Sequence, residues 1–166
     1  VGMIGSYVMG NLYQDFPDID FVDTFKGHGD FYEGDKDTED KLIEWLNDGE
    51  KNVISAHFSG PDKVGHKWGI KSQEYQDKMA DIDESLVRIL DEIPETWTVV
   101  ITADHGMTDS GSHGSAEQVT REVAALITGP DISLSTRLDV HQRDVPAFMA
   151  AVLELPFPIQ LDGKVP

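Results

Sequence analysis

Short apolar, β-branched runs alternate with helical stripes along this chain, and that alternation predicts most of its elements. The opening VGMIGSYV reads as a strand that begins without a cap or lead-in, as the interior of a longer domain would. From Tyr13 to Gly34, aromatic side chains mix with acids and glycines, which predicts a loop carrying one short strand around Ile19 to Val22. The acidic EGDKDTED then leads into DKLIEWL, where Leu42, Ile43, Trp45 and Leu46 form a helical stripe, with Asp37 or Thr38 as the cap and Asn47-Asp48-Gly49 as the stop. NVISAHF, Asn52 to Phe58, predicts the next strand, followed by a loop holding Asp62 and His66. The clearest helix runs from Ser72 to Ile93: Tyr75, Met79, Ile82, Leu86, Ile89, Leu90 and Ile93 recur at steps of three and four. Glu74 and Asp77 sit at its positive end, Pro94 closes it, and the stripe predicts a core face. TVVIT, Thr98 to Thr102, is a run of the kind buried on both faces of a parallel sheet, so strand, loop, helix and strand read as a βαβ unit of an α/β fold. EVAALITGP predicts a further strand, and DVPAFMAAVLEL a late helix with Asp144 as cap and Pro146 in the first turn, where proline is tolerated.

Two clusters of metal-competent side chains follow these strands. Asp104 and His105 fall at the carboxyl end of TVVIT, the edge where open α/β sheets place their ligands. Gly106, Gly111 and Gly114 let the backbone turn so that His113 can fold back toward the same point. Asp62 and His66 follow the NVISAHF strand, and a parallel sheet would bring both clusters to one edge. Carboxylate oxygen and imidazole nitrogen are ligands that zinc accepts, and Asp62, His66 and His113 make one three-ligand set while Asp104 and His105 begin another. Lys63, Lys67 and Trp68 border the first cluster: a lysine to neutralise a phosphate oxygen, an indole to stack on a cationic head group, or simply a rim of snorkelling side chains. His28, His57 and His141 read as structural, with His28 in GHGD a weak second candidate for a substrate-side contact, and GDKDTED lacks the ligand spacing of a calcium loop.

Composition narrows the partners. A length of 166 residues fits one domain able to bury about two-thirds of its unfolded surface. The chain contains no cysteine, which excludes disulfides and thiolate metal sites. It has no apolar run near the ~20 residues a membrane span needs and no basic signal-peptide start. A net charge of -18 repels nucleic acid and anionic membranes, so a phosphate substrate would need a local cationic centre, which bound metal can supply.

The pair PDKVGHKWG and TADHGMTDSGSHGS resembles the alkaline phosphatase superfamily, in the arm of type I phosphodiesterases and nucleotide pyrophosphatases that includes the GPI ethanolamine phosphate transferases. The short gap from Asp104-His105 to Ser112-His113-Gly114 is similar to the transferase branch, as is the ending VHQRDVPAFMAAVLELPFP. Independent phosphoglycerate mutases share a similar PDxVGH and ADHG. The resemblance implies a three-layer α/β fold, with a mostly parallel central sheet and helices on both faces, of which residues 1–166 form the carboxyl-terminal portion. It implies two divalent metal ions, zinc or manganese: Asp62, His66 and His113 on one, Asp104 and His105 on the other. It further implies a Thr or Ser nucleophile and one more Asp from an amino-terminal half, in the parent chain or a partner chain, since Ser6 and Thr24 sit in the wrong context. The expected activity is phospho-transfer on a phosphodiester or phospholipid-type substrate, in an extracytoplasmic or lumenal setting. A nucleotide pyrophosphatase, a mutase-like enzyme and a non-catalytic metal- or head-group-binding fragment are the alternatives.

Overall fold

A computed structural model of the chain describes residues 1–13, 15–26, 30–130, 132, 139–157 and 160–165. Two compact units divide it: Val1–Pro94 with Thr102–Ala125, and Glu95–Ile101 with Leu126–Pro166.

The first unit is built on a parallel three-stranded sheet, in the order β2 (Asp20–Asp23), β1 (Gly2–Gly5), β3 (Ile54–Ala56). Met3 registers with Phe21 on one side and Ser55 on the other. All of β1 is buried, as its apolar run predicts for a central strand. A helix that the sequence pattern does not announce, α1 (Tyr7–Tyr13), leads from β1 toward β2, and Gly10 lies so close to Phe21 that a Cβ there would stand 2.3 Å from the ring. α2 (Glu33–Asp48) covers β1 through buried Trp45 and Leu46, and Gly2 leaves room for the Trp45 indole, which a Cβ would meet at 2.5 Å. Gly49, at φ 65°, ends α2 as the Asn-Asp-Gly signal predicts.

α2 starts earlier than its apolar stripe suggests. The acidic GDKDTED segment is its first two turns, so Thr38 is no cap: its hydroxyl is buried and donates to Gly34 O at 2.9 Å. Asp35 and Glu39 of this segment point inward, where Lys78 and Arg88 neutralise them.

α4 (Gln73–Glu92) starts on Ser72, whose Oγ accepts from Tyr75 N at 3.1 Å. Its buried face follows the apolar stripe only in part: Ile89 is buried and Tyr75, Ile82, Leu86 and Ile93 are half-buried, but the stripe does not contain Lys78 or Ser85. Lys78, Ser85 and Ile89 are buried, whereas Met79 is 41% and Leu90 39% exposed. The cause is polar: α2 presents Asp35 and Glu39 to α4, and their partners Lys78 and Ser85 must face them.

The second unit holds most of β4 (Val99–Thr102) and β5 (Ala125–Thr128), which hydrogen-bond to each other as a two-stranded sheet. The strand TVVIT therefore pairs with β5, where the βαβ pattern suggested the β3 sheet. α6 (Asp144–Val152) begins at Asp144, whose carboxylate accepts from His141 N at 3.0 Å and Lys164 N at 3.1 Å, holding the tail of the unit. Those two N–H groups, first that of Lys164, keep the Asp144 carboxyl below its usual range. Among the described residues no helix is long and apolar enough to cross a membrane.

Candidate metal centre

Asp62 and His66 lie on a helix, α3 (Gly60–Trp68), rather than on the loop the sequence suggests. Nine residues with one buried apolar side chain, Val64, leave too little periodicity to recognise, and proline near the start is a helix signal only once the helix is known. The helical spacing has a consequence. At i and i+4, Asp62 and His66 share one face, with Asp62 Oδ1 3.4 Å from His66 Nε2. Gly69 turns out of the helix at φ 80°, its N–H bonded to Gly65 O at 2.8 Å.

The segment after β4 supplies the other half. Gly106 N donates to Thr120 O at 3.1 Å, on the short helix α5 (Gln118–Arg121), and Thr108 N donates to Ser112 O at 2.8 Å, so the chain doubles back between Thr108 and Ser112. At the tip of that turn Gly111 has φ 80° and packs directly on α3: a Cβ there would lie 2.0 Å from Gly65 O. Gly65 in turn faces Met107, whose Sδ a Cβ would meet at 2.4 Å. Two glycines thus let two backbones approach, and the approach brings His113 to Asp62.

Four of the five expected ligands converge. Asp62 Oδ1 is 3.4 Å from His113 Nε2 as well as from His66 Nε2, and the two Nε2 atoms are 3.0 Å apart. The His105 ring stacks on that of His113 at 3.8 Å between centroids, and the ligand atoms of Asp62, His105 and His113 all lie within 4.8 Å of one another. Asp104, more exposed, stands beside this group: its Oδ1 accepts from His105 N at 3.1 Å and its Oδ2 is 3.7 Å from His105 Nε2. The triad Asp62, His105 and His113 draws on both of the sets expected from the sequence.

Backbone carbonyls orient the rings. His66 Nδ1 donates to Gly111 O at 2.7 Å, and His105 Nδ1 donates to Gly106 O at 3.1 Å. A proton held on Nδ1 leaves the lone pair on Nε2, the atom each ring turns to its neighbours, which is how metal-ligating histidines are usually fixed. Asp62 Oδ1 is buried yet accepts no hydrogen bond from a described residue. A buried carboxylate oxygen facing the lone pair of His66 Nε2 is costly unless a cation or proton sits between them. Tetrahedral ligands at ~2.0–2.2 Å from zinc stand about 3.3–3.6 Å apart, so the two 3.4 Å separations fit such an ion, whereas the 3.0 Å between the two Nε2 atoms is shorter than that edge. Tyr75 adjoins this group: burial, and secondarily the charge of Asp62, pushes its phenol above the usual range.

The expected rim residues turn to aromatic rings. Lys63 Nζ lies 4.0 Å from the Phe25 ring centroid, and Lys67 Nζ lies 4.2 Å from that of Trp68 and 5.3 Å from that of Phe31. Trp68 meets Phe31 edge-on at 5.7 Å. His57 Nδ1 is 3.3 Å from Ser59 Oγ, while His28 lies outside the described residues.

A model of the type I phosphodiesterase/nucleotide pyrophosphatase family matches residues 4–151, which include all five of these side chains. The chain belongs to that family. Curated relatives are GPI ethanolamine phosphate transferases. The human transferase 3 catalytic subunit is 28% identical over 75% of this chain and 12% of its own length. Transferase 1 of Yarrowia lipolytica is 26% identical over 80% of this chain and 17% of its own, and that of Schizosaccharomyces pombe 28% over 77% and 16%. The chain therefore spans less than a fifth of the length of these relatives. A mostly parallel sheet flanked by helices is in keeping with the alkaline phosphatase-like α/β fold of the superfamily.

Proposed function

We propose that this chain carries the metal-binding portion of a phospho-transfer site acting on a phosphodiester, of the phosphoethanolamine transferase or phosphodiesterase type. The observation that carries the reading is the buried, hydrogen-bond-free Asp62 Oδ1 facing His66 and His113 at 3.4 Å. In this reading Asp62, His66 and His113 hold one divalent ion, zinc or manganese, and Asp104 with His105 the other, His105 standing where it can serve either. The ions would supply charge stabilisation to the attacking and leaving oxygens of the displacement. The chain's own residues prepare that site. Gly111 O and Gly106 O keep the Nδ1 protons of His66 and His105 away from the centre, and in this reading Lys67, adjacent to His66 in the chain, neutralises a phosphate oxygen. On a surface of net charge -18, only such a cationic centre makes phosphate binding favourable.

The Thr or Ser nucleophile is assigned to a segment outside this chain, in an extracytoplasmic or lumenal parent protein. Thr24 is unsuited: Thr38 gives its own proton to Gly34 O, so the 2.6 Å contact consumes the proton of Thr24. Ser6 is buried. These observations favour, as the second reading, a chain that binds metal without turnover when alone.

Zinc titration calorimetry on the chain and on His113→Ala tests the proposal. A tight site lost on substitution is expected, and a folded chain that binds no zinc would overturn it. In the full-length protein, cleavage of a diester in preference to a monoester separates the leading reading from a mutase-like one.

A further inference from the structure

The least expected side chain of the first unit is Lys78, which is 0% exposed in the middle of α4. Its Nζ is 2.6 Å from Asp35 Oδ2 and 2.7 Å from Asp81 Oδ2, and 4.4 Å from the Tyr32 ring centroid. Asp35, itself 1% exposed on α2, uses its other oxygen differently: Oδ1 accepts the N–H of Gly60, the first residue of α3, at 3.1 Å. One carboxylate thereby joins three helices at the start of the one that bears Asp62 and His66. The junction admits no side chain at Gly60, where a Cβ would stand 2.0 Å from Asp35 Oδ2 and 2.4 Å from Lys78 Cε.

We propose that Asp35 is a positioning residue for the metal centre: by holding the Gly60 N–H it fixes where α3 begins and so where Asp62 and His66 point. The proposal rests on the metal reading above. Asp62 is two residues from Gly60, in the first turn of the helix, so any displacement of the start is passed to it directly. A requirement for stability does not account for the pair. Buried ion pairs are commonly no more stabilising than apolar residues of the same volume. Burial, outweighing Lys78, pushes the Asp35 carboxyl above its usual value, so keeping it charged at neutral pH costs the folded state stability. An orphan N–H at a helix start needs an acceptor, and Asp35 Oδ1 provides it while Lys78 faces Oδ2.

The test compares two double variants of the full chain by thermal unfolding, zinc calorimetry, the visible spectrum with cobalt(II), and Gly60 amide exchange. Asp35→Leu with Lys78→Met removes both charges and the acceptor; Asp35→Asn with Lys78→Met removes the charges but keeps an Oδ1 for Gly60. The first is expected to stay folded, to bind zinc about 10- to 100-fold more weakly, and to show a changed cobalt spectrum. The second restores both. Wild-type zinc affinity in the first variant overturns the proposal, as does equal weakening in both. Should the first variant unfold, Gly60→Ala disturbs the same junction with Asp35 and Lys78 intact, and unaltered zinc affinity there is equally fatal. If the wild-type chain bound no zinc, the metal reading would fall, yet faster Gly60 exchange in the first variant than in the second would still decide whether Asp35 anchors α3.

Discussion

Gly111 is the position at which a single methyl group should disable the metal centre. Its φ of 80° lies in the left-handed region, which costs an alanine about 1–2 kcal/mol. A Cβ would sit 2.0 Å from Gly65 O, a backbone atom of α3 that cannot rotate away. Relieving that contact means separating the turn from the helix, which breaks the 2.7 Å bond from His66 Nδ1 to Gly111 O. Overpacking and one lost hydrogen bond bring the expected destabilisation of Gly111→Ala to about 3–6 kcal/mol, and loss of the ring's orienting partner weakens zinc binding about 10- to 100-fold. Gly114→Ala is the control. It has φ 82° but nothing within 4 Å of its Cβ, so it should cost only the conformational term and leave zinc affinity near wild type. Denaturant unfolding of the metal-free proteins, zinc calorimetry, and imidazole ¹⁵N shifts reporting the His66 tautomer read the three consequences. If Gly111→Ala and Gly114→Ala behaved alike in all three, the packing of the turn on α3 would not be what orients His66.

Other substitutions test separate parts of the account. Gly65→Ala should be milder than Gly111→Ala, because the group it meets at 2.4 Å is the Sδ of flexible Met107 and not backbone; unfolding midpoints compare them. Glu39, 1% exposed, is held to a pKa of about 2 chiefly by hydrogen bonds from Arg88, against burial that opposes it. Its folded value is below the ordinary 4.5, so its contribution is present above that pH and is lost as pH falls toward about 2. Glu39→Gln should therefore remove up to about 3 kcal/mol at neutral pH and flatten the acid limb of the stability curve, measured by urea unfolding from pH 7 to 3. Met79→Lys should change stability by no more than about 0.5 kcal/mol, since that position is 41% exposed; a core-like loss would restore the apolar stripe as the buried face of α4.

The sequence alone determined much of the local structure. β1, β3, β4 and β5 fall within the apolar runs that predict them, and α4 is capped by Ser72 and ends before Pro94, because caps, prolines and short-range periodicity are properties of neighbours in the chain. Gly49 is legible for the same reason. The five metal-competent side chains are also visible as residue types after strands, and their motifs agree with the family that the chain proves to belong to. Tertiary structure decided what those residues do to one another. That Asp62 and His66 share a helix face depends on α3, whose nine residues carry almost no periodic signal. That His113 reaches Asp62 depends on Gly111 touching Gly65, a contact between segments whose separation in the chain no local pattern records. The burial of Asp35, Glu39 and Lys78 was illegible for a physical reason: an ionised side chain belongs in water unless a partner of opposite charge faces it, and the pairs Asp35–Lys78 and Glu39–Arg88 each join two different helices. Composition therefore assigns these charges to the surface, and only the packing of α2 against α4 brings them inside.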